Sequence, residues 1–402
     1  MTVSRSTTEI SLRRTVTVPD TIRLARHRRV PELGPRVLFF SGGTALNPLS
    51  RRLVDYTHNS IHVVTPFDSG GSSREIREAF HMLSVGDLRS RLMALADQSV
   101  RGNPEIYALF AYRLDPEAAR RDLVETLKAM VKGDHPLVAA VHDPMRKIIR
   151  NHLRMFLEAL PDSFDLRGAS VGNLILTGGF LNNQRHIDPV IFMFAKLVEA
   201  RGTVRPVANE YLHLVAELED GTRIMGQRAL TGKETTPISS PVARLYISDD
   251  SSTGRPVTLE IRTKLRELIR RADLIVFPMG SFYSSLLANL LPDGIVDEIA
   301  ANPCPKVYVP NTGTDPEQTG LTTADCVNRL IGTLSERSNG AALERLLNFV
   351  VVDSGSDAYR HTVAPEAIRA TGVELIDTPL ITSESYPGID SDRLIAILLS
   401  IA

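Results

Sequence analysis

Short, unbroken apolar runs recur along the chain, and each stops at a polar, glycine-bearing stretch. "RVLFFSGG" begins at Arg36, "IHVVTPFDSGG" at Ile61, "DLIVFPMGS" at Asp273, "PKVYVPNTG" at Pro305 and "NFVVVDSGSD" at Asn348. Runs this short and this rich in Val, Ile and Phe predict strands buried on both faces. Between them, "SREIREAFHML" (73–83) and "TLEIRTKLRELIRRA" (258–272) place apolar residues at three- and four-residue intervals, the spacing of an amphipathic helix. Residues from about 104 to 165 predict a mainly helical insert, with Leu and Met at helical spacing in "RRDLVETLKAMV" and "MRKIIRNHLRMFLEAL". "VGNLILTGGF" opens a further glycine-rich element. "YLHLVAELEDGTRIMGQRAL" alternates polar and apolar positions on both sides of Asp220-Gly221, a hairpin signal, and "ARLYISDD" reads as another strand.

Strands alternating with helices through short links predict an α/β, Rossmann-like fold. The sheet is expected to be mostly parallel with helices on both faces, plus a smaller, mainly helical insert and a β-hairpin. In such sheets ligands bind beyond the carboxyl ends of the strands. The polar clusters fall at those ends: Ser41-Gly42-Gly43-Thr44, Asp68-Ser69-Gly70-Gly71, Gly280-Ser281, Asn311 and Asp353-Ser354-Gly355. The α/β domain is expected to span 35–402. Residues 1–34 mix Ser, Thr and Arg and read as a basic N-terminal extension, a solvated arm or one that packs in an oligomer rather than on nucleic acid.

Composition changes this picture little. The chain has 402 residues, 43% of them hydrophobic and 23% charged, and a formal net charge of -1, so no global field draws it to nucleic acid or membrane. No apolar run approaches the roughly 18 residues of a membrane helix. The arginines near the N-terminus precede no apolar stretch, so a secretory signal is not expected. Cys304 and Cys326 are the only cysteines, too few for a disulfide framework or a Cys-rich zinc site, and a cytoplasmic location is expected.

The chemistry-bearing clusters are glycine and hydroxyl loops. Gly42-Gly43-Thr44 lets an anion approach the main chain, with Thr44 as a cap or donor; a tight structural turn explains the same residues equally well. The loop is neither a Walker loop, for want of Lys-Ser/Thr, nor GxGxxG. "DSGGSSR" (68–74) sets a carboxylate at a strand end before two glycines and two hydroxyls. Asp68 could hold Mg²⁺ or bond a substrate hydroxyl, and Ser72 and Ser73 could cap a helix or face an anion. In "GDLR" (86–89), Arg89 could fork to a phosphate or pair with Asp87 or Asp97. "PMGSFYSSLLANLL" (278–291) offers Ser281, Ser284 and Ser285, with Tyr283 as a stacking ring, a phosphate donor or a core residue. Neither a nucleophile elbow nor a histidine metal site is expected, although Gly168–Gly172 spells Gly-x-Ser-x-Gly and His58 and His62 stand four residues apart. "DSGSDAYRH" (353–361) is a polar strand-end loop within reach of such a site.

Taken together and in order, these clusters resemble the CofD/YvcK family, which comprises 2-phospho-L-lactate transferase of deazaflavin-coenzyme synthesis and the bacterial gluconeogenesis factors. The matching stretches are "GGTALNPLSRRL", "FDSGGSSREIRE", "LSVGDLRSRLMALAD", "GNLIL", "ANEYLHLVAELEDGTRIMG", "ADLIVFPMGSFYSSLLANLL" and "PKVYVPNTGTDPEQTGLTTADCV", from about residue 36 onward. The pattern is similar to the gluconeogenesis-factor branch, or to a further paralogous branch, the CofD-like protein of the GAK gene system. The resemblance implies a Rossmann-like core, a site for a nucleotide diphosphate or nucleotide-sugar, a Mg²⁺ ion in the transferase branch, and a homodimer. It places Gly42, Gly43, Thr44, Gly70, Gly71, Ser72 and Ser73 by the phosphates and Asp68 near metal or acceptor as the one catalytic candidate. It sets Asn173 and Asn209 facing the site. It puts Gly280, Ser281, Tyr283 and Ser285 in the nucleotide loop and Asn311 at the next strand end. Arg89 joins them as a phosphate partner. The chain departs from the pattern at Ala45, at Pro278-Met279, at Arg74 and at Ser69, which stands where the family has a second aspartate. The resemblance implies either transfer of a phosphate-linked group to a hydroxyl acceptor or a nucleotide-sugar sensor acting through partners.

Overall fold

The computed structural model describes residues 15–99, 102–232, 237–313, 315–359 and 363–402. Its centre is a seven-stranded parallel sheet. The strands are β1 (Val37–Ser41), β2 (Ile61–Val64), β3 (Thr203–Pro206), β7 (Leu274–Phe277), β8 (Lys306–Tyr308), β9 (Phe349–Val352) and β10 (Glu374–Asp377). A second, antiparallel sheet contains β4 (His213–Leu218), β5 (Arg223–Met225) and β6 (Val242–Ser248) in the order β5-β4-β6, with Gly221 at φ +85° in the β4–β5 turn.

The order β3-β2-β1-β7-β8-β9-β10 means that the chain starts mid-sheet, winds outward to β3, then returns beside β1 to wind the other way. The strand order therefore reverses between β1 and β7, whose Val37–Phe39 and Leu274–Val276 pair in parallel. That reversal opens a crevice above the carboxyl ends of the two strands.

Both faces of the sheet are covered. Val37, Phe39, Leu274 and Val276 pack with Leu394 and Leu398 of the C-terminal helix Ser391–Ile401. Leu38, Phe40, Ile275 and Phe277 belong to the opposite core, where the Phe40 and Phe277 rings stack at 5.9 Å. Alternate residues of one strand thus serve two cores, which is why the strands read as continuous apolar runs.

The β2–β3 crossover is almost wholly helical. It holds Ser72–Phe80, Gly86–Ala94, Pro104–Ala111, Arg120–Lys132, Pro136–Ala139, Met145–Glu158, Val171–Asn182 and Ile187–Leu197, so helix extends on both sides of 104–165. The glycine-rich "VGNLILTGGF" forms one of these helices. A Cβ on Gly178 would meet the His152 carbonyl at 1.8 Å, so the glycines let two helices touch at their backbones.

At the N-terminus, helix Thr21–Arg29 docks on the chain's own C-terminal helix. The Asp20 N–H donates to Ser400 Oγ at 2.7 Å, and Arg23 Nη1 donates to the carbonyls of Ser400 and Ala402. Residues 1–14 of the extension lie outside the described residues. Among the described residues no helix is long and apolar enough to cross a membrane.

Candidate functional site at the strand-order reversal

A cleft of ≈ 370 Å³ lies over the carboxyl ends of β1 and β7. One wall is the turn Gly42–Leu46, between β1 and the helix Asn47–Leu53. The opposite wall is Met279, Gly280, Ser281 and Ser285, after β7. Asp68 and Gly70 close one end and Asn311, Gly313 and Asp315 the other, with Gln227, Arg228 and Thr231 on the rim.

The two glycines of β1's tip have a steric reason to be there. A Cβ on Gly42 would sit 2.2 Å from Ser285 Oγ, and one on Gly43 would sit 2.9 Å from Asp87 Oδ1. Beneath them runs the fully buried Arg91, whose Nη2 donates to the carbonyls of Gly42 and Gly43 while Nη1 donates to Ser50 Oγ at 2.6 Å. In a trans peptide the N–H points opposite to the C=O. Carbonyls drawn inward at Gly42 and Gly43 therefore turn the N–H groups of Gly43 and Thr44 outward, toward the cleft. Among the described residues neither N–H has a hydrogen-bond partner. Outward N–H groups over a buried cation make a fixed positive surface for an anion.

Two carboxylates face this surface. Asp68 accepts the N–H of Gly70 at 3.1 Å and the Ser84 hydroxyl at 3.4 Å, and its Oδ2 packs so closely on Gly86 that a Cβ there would lie 2.3 Å away. Asp87, one residue on, stands in the first turn of helix Gly86–Ala94 and accepts from Thr65 Oγ1 at 3.4 Å. Asp87 is 6% exposed, and the cation that acts on it, Arg91, is spent on the Gly42 and Gly43 carbonyls. Burial, and then the nearby Asp68 carboxylate, push its pKa well above the usual carboxylate range, although Arg91 pulls the other way.

Ser69, where a second aspartate was expected from the resemblance, has a different task. Its N–H donates to Gln227 Oε1 at 3.0 Å, and its hydroxyl accepts from the Arg228 N–H at 2.9 Å. It thereby ties the short helix Gln227–Thr231 over the cleft.

After β7 the chain makes a wide, π-helical turn, Phe282–Leu286. Its leading N–H groups are engaged by buried acids: Phe282 donates to Asp315 Oδ2, and Tyr283 and Ser284 both donate to Glu317 Oε2, at 2.7–2.8 Å. The Gly280 N–H donates to Asn311 Oδ1 at 2.7 Å. This side of the cleft therefore presents the hydroxyls of Ser281 and Ser285, with the N–H groups of Gly280, Phe282, Tyr283 and Ser284 already engaged. Burial and the neighbouring Asp315 raise the Glu317 pKa to about 7.

Of the residues anticipated from the sequence, Gly42, Gly43, Thr44, Asp68, Gly70, Gly280, Ser281, Ser285 and Asn311 line one cleft. Others do not. Arg89 Nε donates to Asn173 Oδ1 at 2.9 Å, Arg89 Nη1 donates to the Phe110 carbonyl at 3.2 Å, and Asn173 Nδ2 donates to Ser72 Oγ at 3.1 Å. These three side chains are spent on joining helices behind the cleft. Ser73 is buried with its hydroxyl packed against Gly86, and the exposed Gly71 and the half-buried Asn209 stand outside the lining. Tyr283 turns its ring away, into the wall of another cavity. Asp87, Arg91, Gln227, Arg228 and Asp315 were not anticipated as site residues. "GDLR" displayed Asp87, but as an ion-pair partner for Arg89. In the Asp353 loop, Arg360 and His361 lie outside the described residues.

Among the described residues no group of three or more His, Cys, Asp or Glu side chains could hold a metal. Asp68 and Asp87 make a two-carboxylate site, the donor set that suits Mg²⁺ when phosphate oxygens and water complete the shell. The buried Asp87 carboxyl, which has a single long hydrogen bond from Thr65, fits such a role.

A family model, 2-phospho-L-lactate transferase CofD, matches residues 37–381, which takes in every wall of the cleft. The chain belongs to the CofD family. The gluconeogenesis factor of Listeria monocytogenes is 31% identical over 282 residues, 70% of this chain and 67% of that protein. The gluconeogenesis factor of Bacillus subtilis is 30% identical over 304 residues, 74% of each chain. In fold, the CofD-family chain matches the crystal structure of a UPF0052 family protein from Bacillus halodurans with a TM-score of 0.67, at 23% identity, over 91% of this chain and 99% of that one.

Proposed function

We propose that the cleft binds the diphosphate of a nucleotide or nucleotide-sugar together with Mg²⁺. The observation that carries this reading is that Asp68 and Asp87 line the same cleft as the Gly42–Thr44 turn, with Asp87 packed against Gly43. Two carboxylates beside outward N–H groups are poorly matched to an anion alone, because like charges repel at close range. They are well matched to an anion that brings a divalent cation. Asp68 and Asp87 would hold the metal, which would neutralise charge on the phosphates when bound. The N–H groups of Gly43 and Thr44 would take phosphate oxygens, and Ser281, Ser285 and Asn311 would orient the rest of the nucleotide.

A second reading, transfer of a phosphate-linked group to a hydroxyl acceptor, is favoured by the raised pKa of Asp87. A carboxylate held at higher proton affinity is a better base toward a hydroxyl proton. The family's transferase name points the same way, whereas the L. monocytogenes and B. subtilis proteins are named gluconeogenesis factors, a name that states no transfer.

The test is a thermal-shift titration of the full chain with UDP-GlcNAc, UDP-glucose, GDP and GTP, each with and without Mg²⁺. A ligand at about 100 times its Kd adds roughly 2.7 kcal/mol of stability. A Mg²⁺-dependent rise in Tm with at least one nucleotide is expected. No shift with any of the four in either condition would overturn the reading.

A further inference from the structure

The segment that walls the first cleft also walls a second cavity. Ser281 and Ser285 face the cleft, whereas Tyr283 and Leu287 line a space of ≈ 550 Å³ between β6 and helix Thr323–Arg337. This is within the range of about 300–1,000 Å³ typical of small-molecule sites.

Its floor is apolar, built from Leu287, Leu291, Leu321 and Val242. Tyr283 is 2% exposed, and its hydroxyl has no hydrogen-bond partner among the described residues. A buried hydroxyl without a partner is destabilising relative to one that is bonded. Burial raises its pKa to about 12, so it stays a neutral donor.

The charges around the cavity are Arg244, Arg329, Arg337, Asp325 and Glu336. Asp325 is spent on the capping box of the helix, accepting from the Thr322 N–H at 2.8 Å and from its hydroxyl at 2.6 Å. Arg337 donates to the Leu291 carbonyl. Arg329 and Arg244 keep only long ion pairs, to Glu219 at 3.7 Å and Glu217 at 3.9 Å, and their side chains are 32% and 61% exposed. Three arginines and two acids, Asp325 and Glu336, thus line the cavity, and Arg329 and Arg244 are the guanidinium groups whose acid partners lie at the longest reach.

We propose that this cavity is a second ligand site, which takes a small organic anion, a carboxylate or phosphate ester on an apolar body. The apolar body rests on the leucine floor, and the Tyr283 hydroxyl and the Arg329 guanidinium donate to its oxygens. Charge-assisted donors of this kind bind planar oxyanions well. The site stands whatever the first cleft binds.

Phenyl phosphate is a suitable probe, titrated into the full chain by calorimetry. Saturable binding at one site is expected, retained when UDP-GlcNAc or GDP with Mg²⁺ is in excess. Arg329→Gln and Tyr283→Phe should each raise Kd by about tenfold or more, the loss of one hydrogen bond to a charged group. If Arg329→Gln does not melt as a folded protein, Arg329→Lys replaces it, which keeps the charge but not the guanidinium fork and should still raise Kd severalfold. Absence of saturable binding would overturn the proposal. So would an unchanged Kd in the arginine and tyrosine variants, or displacement of the probe by nucleotide. A dimer in solution that Arg329→Gln dissociates would overturn it too, because a second copy of the chain would then fill the cavity.

Discussion

Arg91 donates from Nη2 to the carbonyl of Gly43 at 3.0 Å, and this bond sets the direction in which the first turn of the site points. The same nitrogen holds the Gly42 carbonyl at 3.1 Å. Burial lowers the Arg91 pKa to about 10, with Asp87 opposing the shift, so the guanidinium stays charged at neutral pH. Arg91→Met should leave the two carbonyls and the Ser50 hydroxyl without their donor. Urea denaturation should show a loss on the order of 3 kcal/mol, the cost of buried acceptors left unpaired. Nucleotide affinity should fall as well, because the turn loses both its anchor and the charge beneath it. Arg91→Lys should restore part of the affinity through its charge, without the two-carbonyl fork. Full affinity in Arg91→Met would show that the turn is set by other contacts.

Asp87→Asn separates stability from function. The Asp87 carboxyl sits well above its ordinary pKa, so ionising it costs the folded state more than the unfolded chain. Stability from this group is greatest when it is protonated and falls as pH rises through its folded-state value. Asn carries no such penalty, so the ligand-free variant should melt at a higher temperature than the parent at pH 8. The Mg²⁺-dependent nucleotide shift should vanish in the same sample. A variant that keeps the Mg²⁺-dependent shift would remove Asp87 from the metal site.

Gly42 and Ser285 are in contact across the cleft, and their substitutions should couple. Gly42→Ala puts a methyl 2.2 Å from Ser285 Oγ and 2.7 Å from its Cβ, so the two walls must part. The expected cost is about 1–3 kcal/mol, typical of overpacking. Ser285→Gly removes both clashing atoms. In the double variant the loss should be smaller than the sum of the two single losses, a favourable coupling of about 1 kcal/mol or more by a double-mutant cycle. Additive losses would place the walls farther apart than described.

How much of this was legible beforehand follows from how local each signal is. β1, β2, β7, β8 and β9 are buried and mostly apolar, and the runs they belong to suffice to find them. β3 (TVRP) and β10 (ELID) were missed because they are short, mixed in polarity and at the sheet edges, where pairing rather than composition makes the strand. The cleft's glycines and serines were visible because they sit at strand ends. Asp87 and Arg91 were not, because their roles exist only once helix Gly86–Ala94 lies against the Gly42–Gly43 turn, a contact that no local spacing records. Tyr283 was misplaced by its nearness to Ser281 and Ser285. A helical turn sends adjacent residues to different faces, and here those faces belong to two cavities.

Asn173 tests the network behind the cleft. Its side chain accepts from Arg89 and donates to Ser72, and it is buried. Asn173→Ala should lower stability by about 1–3 kcal/mol, since Arg89 and Ser72 each lose a partner. The Kd for nucleotide should change less than about threefold, because none of the three residues lines the cleft. A tenfold loss of affinity with little loss of stability would reverse this assignment and return Asn173 to the ligand.

Glu317 ties the pH dependence of folding to the loop after β7. Its Oε2 accepts the N–H groups of Tyr283 and Ser284, and its Oε1 meets the Ser284 hydroxyl. Burial, then Asp315, raise its pKa from the ordinary 4.5 to about 7, so the folded protein keeps a proton that the unfolded chain has already released. Between about pH 4.5 and 7 the folded state binds more protons, and its stability falls as pH rises. Below that window the contribution is fully present; above it the contribution is lost. Glu317→Gln imitates the protonated form, since Oε1 can take the two backbone N–H groups while Nε2 donates to the Ser284 oxygen. The variant should therefore match the parent at pH 4.5, exceed it at pH 8, and show a shallower decline between the two in urea denaturation. If its curve runs parallel to that of the parent across this window, Glu317 is ionised throughout, and the three donors around it outweigh its burial.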